Sequence, residues 1–271
     1  MRIRSKPKNG SNLTMVFVFC IAVFFLVLGS LTVKSFLLLQ ASLFDGQHRF
    51  TVFVKDSKGE SELISFAPDS KTIAMLVLPK GKNDTQKSVE KFLGIPVDGF
   101  IQGEKQYVQE EKDIPLFVRN LIFNYNRLQT NMTPIDLVRL WFFAKSVPTY
   151  SIVIQHLSTP VDQLVMDKRM VTLFSDNSVS QEKLSIQIIN GTGVAGLGNR
   201  LARIITNMGG NVVVVSTANT VVKTSHIAYY GQQSYTAQKL NKILNASLST
   251  MQKPEISDII VTIGMDQASK F

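Results

Sequence analysis

Glycines 191, 193 and 196 stand in the run Gly-Thr-Gly-Val-Ala-Gly, between the apolar stretch Ile186-Gln-Ile-Ile189 and a helix-forming segment that starts near Leu197. A G-x-G-x-x-G after a strand and before a helix is how dinucleotide-binding folds present backbone amides and a helix N-terminus to a pyrophosphate. Asn190, Thr192 and Asn199 are placed to add hydrogen bonds, and Arg200 and Arg203 to add positive charge. Two features oppose a nucleotide. Such folds want Asp or Glu about 20 residues on to hold the ribose hydroxyls, whereas this chain offers Ser216, Thr217 and Asn219. The block is also short, at roughly 85 residues, for a complete dinucleotide domain. Two readings remain. Gly191 and Gly193 permit a tight turn with positive φ, and Gly196 lets the helix approach the sheet closely. Alternatively, the amides of Thr192 to Ala195, with Arg200 or Arg203, accept an anionic group.

Other chemistry-bearing residues are sparse. The three histidines, His48, His156 and His226, lie far apart in strand-like surroundings, and the single cysteine is Cys20. No disulfide can form within the chain and no cysteine metal site exists, so stability must come from packing. No metal site and no cofactor is expected. Asp258 and Asp266 flank the last strand and read as solvated or turn-capping residues. Asn83-Asp-Thr, Asn131-Met-Thr, Asn190-Gly-Thr and Asn245-Ala-Ser fit a glycosylation tripeptide, a pattern that arises often by chance.

Stepping from Leu13 to Val33, LTMVFVFCIAVFFLVLGSLTV carries no charge, and a helix of about 20 residues crosses a hydrocarbon core. Residues 13–39 read as a transmembrane anchor. Arg2, Arg4, Lys6 and Lys8 precede it, with no acidic residue. The positive-inside rule then keeps residues 1–12 in the cytoplasm and exports the rest, giving a single-pass protein of the plasma membrane. A cleavable signal peptide is the rival reading, against which stand the length of the apolar run and the lack of a clear small-x-small site. Of the net charge of +9 across 271 residues, the leader holds four positive charges. A dozen cytoplasmic residues cannot form a DNA-reading fold, so no nucleic-acid partner is expected. The remaining ~235 residues suffice for two modest cores. An exported domain would also have little access to a nicotinamide cofactor.

From Arg49 the chain reads as strands: RFTVFVKD, a polar Ser57-Lys-Gly-Glu60 turn, then Leu63 to Phe66 and Thr72 to Leu78 paired as a hairpin around Ala67-Pro-Asp-Ser70. Thr85 to Leu93 reads as a helix with Thr85 as N-cap and Gly94 as its stop. Ile95 to Ile101 reads as a short strand. Two apolar-faced helices follow, about Pro115 to Arg127 and Thr133 to Ser146, the second opening on an N-cap and proline. Trp141, Phe142 and Phe143 are expected in the core.

The strand ending in Leu78-Pro79, the helix after it, and SVEKFLGIPVDGFI over Ser88 to Ile101 resemble the LytR-CpsA-Psr family of envelope proteins. The resemblance implies an extracytoplasmic domain which, in active members, moves glycopolymers from a polyprenyl-pyrophosphate carrier onto peptidoglycan, using arginines, aspartates and a divalent metal. The family's Ile-Pro-Arg-Asp corresponds to Leu78-Pro79-Lys80-Gly81 here. Lysine offers a mobile point charge in place of a two-pronged guanidinium, and glycine removes an oxygen ligand for magnesium. The family's other acidic-arginine motif has no counterpart in Ser57 to Glu60. Residues 49–159 therefore read as a degenerate, non-catalytic module with Lys80 as the remnant of a phosphate site. The competing reading is a divergent glycopolymer transferase, with Lys80 on phosphate and Glu60 or Asp84 rescuing the metal.

Residues 160–183 read as a linker, with Ser175 to Lys183 its best candidate and a short helix near Leu164 to Phe174. Beyond lies strand (Leu184 to Ile189), helix (Val194 to Met208), strand (Asn211 to Ser216), strand (Ser225 to Tyr230), helix (Ser234 to Leu244) and strand (Ile256 to Ile263). This βαββαβ order suits a two-layer α+β domain over 184–266. IQIINGTGVAGLGNRLARIITNMGGNVV, KTSHIAYYGQQSYTAQKLNKIL and DIIVTIGMD resemble the LytR C-terminal domain, which implies an accessory envelope domain without established catalytic residues. The expected fold class is thus α/β (α+β), with a membrane helix ahead of two exported domains. The expected role is binding or organising peptidoglycan or a lipid-linked glycopolymer without catalysis. Asn190, Gly191, Thr192, Gly193, Gly196 and Arg200 are the candidate anion- or glycan-binding residues, and Tyr230 is the ring placed to stack on a sugar.

Overall fold

The computed structural model describes residues 10–57, 59–79, 85–103, 110–158, 162–253 and 256–270. The chain divides into two compact units, Met1–Ser42 and Leu43–Phe271. In the first, helix α1 (Gly10–Gln40) contains a stretch, Met15–Gln40, with mean hydropathy 2.8. Its 26 residues correspond to about 39 Å of helix, more than the roughly 30 Å of a bilayer core. Among the described residues it is the one helix long and apolar enough to cross a membrane.

The second unit holds two mixed sheets. Its first part runs β1 (Phe50–Asp56), β2 (Ser61–Ala67), β3 (Thr72–Leu78), α2 (Gln86–Leu93), β4 (Gly99–Gly103), α3 (Ile114–Phe123), β5 (Gln129–Thr130), α4 (Pro134–Ser146) and β6 (Ile152–His156). These strands form one sheet in the order β5-β4-β1-β2-β3-β6, and β1 to β3 form an antiparallel meander. Alternate residues leave a strand on opposite faces, and here both faces are covered. Phe50, Val52, Ile64, Phe66, Ile73 and Met75 pack under α3 and α4. Phe53, Leu63, Ala74, Leu76 and Leu78 pack under Val89 and Leu93 of α2 on the other side. The near-continuous burial of β2 and β3 follows from that.

The caps read from sequence are present. The Thr85 hydroxyl accepts from the Ser88 amide at 3.2 Å, and Gly94 closes α2 at φ 64° with its amide on Glu90 O. Thr133 and Asp136 form a reciprocal capping box at the start of α4. Asp136, fully buried, also accepts the Phe44 amide at 2.9 Å, so the first residues of this unit are pinned to α4. Two expectations shift. The strand begins at Gly99, since Pro96 has no amide for a ladder. Phe142 lies on the outer face of α4, 60% exposed, whereas Leu137, Leu140 and Ala144 fill the core; Trp141 and Phe143 are partly buried against it.

The stretch 160–183 is no linker over its described residues. It holds α5 (Gln163–Phe174) and α6 (Asn177–Glu182). Met166, Met170, Leu173 and Phe174 complete the core beneath β1 to β3, and Val179 of α6 belongs to the core of the second sheet. Asp162 caps α5 and Asp176 caps α6. The Glu182 carboxylate receives the amides of Tyr235 and Thr236 at 2.8 Å each, closing the start of the helix that begins at Tyr235.

The second part runs β7 (Ser185–Asn190), α7 (Leu197–Asn207), β8 (Asn211–Thr217), β9 (His226–Tyr230), α8 (Tyr235–Leu244), β10 (Ser247–Met251) and β11 (Ile259–Ile263), in the order β10-β9-β11-β7-β8. β10 adds a strand to the βαββαβ pattern. It pairs parallel with β9 at the sheet edge, and its sequence SLSTM is too polar to have signalled a strand. α7 and α8 cover one face with Leu197, Leu201, Ile205, Leu240 and Leu244. Ile186, Ile188, Ile227, Val261 and Ile263 meet them from the sheet. Among the described residues no helix covers the opposite face, where Gln187, Ile189 and Thr262 are only partly buried.

Candidate functional site

The glycine-bearing turn is a closed polar circuit. The Asn190 side-chain oxygen accepts from the Thr192 amide at 3.1 Å and the Thr192 hydroxyl at 2.7 Å. The Asn190 side-chain nitrogen donates to Val194 O at 2.8 Å, while the Val194 amide donates to the Thr192 hydroxyl at 3.1 Å. The Gly191 amide is taken by Ile263 O at 2.9 Å. Three amides of the loop are therefore consumed internally, and Asn190 and Thr192 are buried. These bonds build the turn, and they occupy two of the four amides, Thr192 and Val194, that the anion-binding reading uses.

The glycines exchange roles relative to the expectation. Gly193 and Gly196 have φ of +73° and +77°, where an L side chain is strained. Gly191 is needed for space instead: a Cβ there would lie 2.6 Å from Val222 Cγ2 and 2.9 Å from Ile263 O. Close approach of helix to sheet falls to Gly198, whose Cβ would stand 3.0 Å from Val215 Cγ1, whereas a Cβ at Gly196 meets nothing within 4 Å. Tyr230 is 46% exposed at the end of β9, and Tyr229 packs partly buried against the core.

Arg200 does join a hollow, though on the helix flank rather than at the turn. A cavity of about 270 Å³ opens where α2 and the following Gly94 to Asp98 segment meet α7 and α8. Its described walls include Asn199, Arg200, Lys91, Lys242 and Lys270, with Ile95, Pro96, Ile204 and Ile243 as apolar surface. Tyr230 and the turn residues 190–196 are not among these walls.

The cavity exists because α7 caps α2 from outside. The last carbonyls of a helix lack intrahelical partners. Arg203 donates to Lys91 O at 3.2 Å and Phe92 O at 3.1 Å, and Asn207 donates to Leu93 O at 3.2 Å and Gly94 O at 3.0 Å. A cation there also meets the negative end of the helix dipole. Asp167 of α5 holds the guanidinium by an ion pair at 2.7 Å. On the other side, Lys239 of α8 reaches Asp98 at 3.1 Å with both side chains under 10% exposed, and also donates to Arg49 O. Inside the cavity, Glu90 accepts from Gln86 and from the Val97 amide. Burial pushes the Glu90 carboxyl up and the Lys270 ammonium down, each opposed by the attraction of the other. Lys270 also donates to Ile243 O.

The remaining candidates have structural partners or lie elsewhere. Lys80, Gly81 and Asp84 fall outside the described residues. Glu60 closes the β1–β2 turn, its amide on Asp56 at 2.7 Å. Next to it, burial and the neighbouring Asp56 raise the Glu62 carboxyl to about 7. His226 lies between the Ser247 and Ser249 hydroxyls, and His48 stacks on Tyr235 at 3.8 Å with Asp45 at 2.6 Å. Asp258 holds Ser185, and Asp266 holds Ser225. Among the described residues, no group of three or more His, Cys, Asp or Glu is placed to hold a metal.

Sequence reasoning missed Lys91, Asp98, Asn207, Lys239, Lys242 and Lys270. One signal was available: Asn199, Arg203 and Asn207 recur every fourth residue, a polar stripe beside the apolar face of α7.

Residues 183–266 match the model of the family described as LytR cell envelope-related transcriptional attenuator. No curated protein matches the chain in sequence. Among solved structures, TagT of B. subtilis is 16% identical with a TM-score of 0.33, over 47% of this chain and 90% of that one. The transcriptional regulator EF0465 of Enterococcus faecalis is 10% identical with a TM-score of 0.34, over 48% and 87%. TagV of B. subtilis gives 11% and 0.31, over 42% and 86%. Scores of that size carry no weight for the six-stranded sheet. The five-stranded sheet and its two covering helices lie within the residues, 183–266, that match this family model.

Proposed function

We propose that this chain is a single-pass, membrane-anchored protein of the bacterial cell envelope. In this reading its N-terminus is cytoplasmic and the Leu43–Phe271 unit lies outside the membrane, where it binds or organises peptidoglycan or a wall glycopolymer without catalysis. The observation that carries the reading is the LytR C-terminal domain at 183–266 in a chain whose α1 is apolar enough to span a bilayer. The basic residues Arg2, Arg4, Lys6 and Lys8 ahead of that helix support the orientation. Leu78-Pro79-Lys80-Gly81 supports the absence of catalysis: the residue pair that would grip phosphate and metal is replaced by a point charge and a glycine.

Sedimentation of the Leu43–Phe271 unit with purified peptidoglycan sacculi tests it. The unit is expected in the pellet, in a saturable manner. Recovery wholly in the supernatant would overturn wall binding. Magnesium-dependent turnover of a pyrophosphate-linked lipid glycan, lost in Lys80→Ala, would overturn the non-catalytic part.

A further inference from the structure

We propose that the cavity between α2, α7 and α8 is a binding site for an organic phosphate, a phosphate ester carried on a body about the size of one sugar. The charge around it is lopsided. Its described walls carry five cationic side chains, Lys91, Arg200, Arg203, Lys242 and Lys270, against two carboxylates, Glu90 and Asp98. Both carboxylates already have partners, Asp98 in Lys239 and Glu90 in Gln86 and the Val97 amide. Asp167 and Lys239 stand behind the wall as the partners of Arg203 and Asp98.

Size and lining narrow the class further. A volume of about 270 Å³ sits at the low end of small-molecule sites, which run from roughly 300 to 1,000 Å³. That is room for a single ring and its phosphate. Nucleic acid is read on extended basic surfaces, and this positive charge lines a concave hollow. The apolar surface of Ile95, Pro96, Ile204 and Ile243 suits the C–H face of a ring, and Asn199 and Gln163 can meet hydroxyls. Burial already acts on Glu90 and Lys270 in this wall. Charge-assisted hydrogen bonds to phosphate are stronger where water is scarce.

The walls come from both sheets' layers, α2 from the first and α7 and α8 from the second, so an occupant stabilises the docked state over any separated one. The inference is independent of wall binding: sacculi can pellet the protein with this cavity idle, and the cavity can fill with no affinity for sacculi.

Calorimetric titration of the full chain in a non-ionic detergent, with glucose 1-phosphate, inorganic phosphate and glucose, decides it. Glucose 1-phosphate is expected to bind saturably below ~1 mM and to raise the unfolding temperature, with inorganic phosphate at least about tenfold weaker and glucose undetected. Lys242→Glu and Lys91→Glu, both at exposed positions, are each expected to weaken glucose 1-phosphate about tenfold or more with the circular dichroism unchanged. Lys145→Glu, far from the cavity walls, is expected to bind as the parent does. No saturation by ~10 mM, equal affinity for glucose, or an equal loss in Lys145→Glu would each overturn the site. Inorganic phosphate binding as tightly as glucose 1-phosphate would overturn the ligand class.

Discussion

The two sheets bury their strands differently. The six-stranded sheet is covered on both faces, by α3 and α4 on one side and α2 and α5 on the other. The five-stranded sheet is covered on one face only, by α7 and α8, and leaves Gln187, Ile189 and Thr262 only partly buried on the other. Yet the contacts recorded across the seam between them are mainly polar: Arg203 and Asn207 on the end of α2, and Lys239 on Asp98. The difference teaches where each property resides. Apolar burial supplies the stability of the first layer, while charges gather at the seam, and that is where a small anionic ligand finds partners.

Lys239→Met attacks the seam and carries the largest expected effect. Removing one partner of a buried ion pair leaves the other charge uncompensated, at a cost of about 3–5 kcal/mol. Equilibrium urea unfolding of the Leu43–Phe271 unit reads it, and a loss below ~1 kcal/mol would mean the seam is solvated and the two layers are only loosely joined. Next comes the contrast between core and edge. Leu76→Ala, at a position fully buried between sheet and helices, is expected to cost about 3 kcal/mol, and Val213→Ala, half-exposed on the edge strand β8, less than about 1 kcal/mol. Similar losses at both would show that something covers β8 in solution.

The smallest effect concerns Glu62, whose carboxyl stands at about 7 in the fold against 4.5 for the free group. A raised carboxyl binds its proton more tightly folded than unfolded, so stability falls as pH rises from 4.5 through about 7 and stays lower above. Glu62→Gln, which mimics the protonated form, is expected to gain on the order of 2 kcal/mol at pH 8 and nothing at pH 4. A pH-independent gain in thermal unfolding scans would assign the effect to packing.

Local signals were legible where they were self-contained. Thr85 and Gly94 bracket α2, and Thr133-Pro134 opens α4, because caps are satisfied within a turn of the chain. The hairpin of β2 and β3 was legible from its turn residues. α6 was not, since Asn177 to Glu182 is polar and gains its place through Val179 in a distant core and Glu182 on α8. The role of Gly191 turns on Val222, thirty-one residues further along the sequence, whose side chain no local pattern reveals. The cavity was the least legible feature, because its described walls come from five separated segments and only the α7 stripe hinted at it.

The pairing of β11 with β7 sets a limit on when this molecule can be complete. β7 starts at Ser185 and its parallel neighbour β11 ends at Ile263, so the middle of the second sheet closes only after more than seventy intervening residues have emerged. Parallel pairings over such separations are slow to form. Until β11 arrives, β7 and β9 present bare ladders to any chain nearby. A frameshift or proteolytic cut before Ile259 would remove a central strand instead of an edge, leaving an aggregation-prone remnant tethered behind a properly formed first layer.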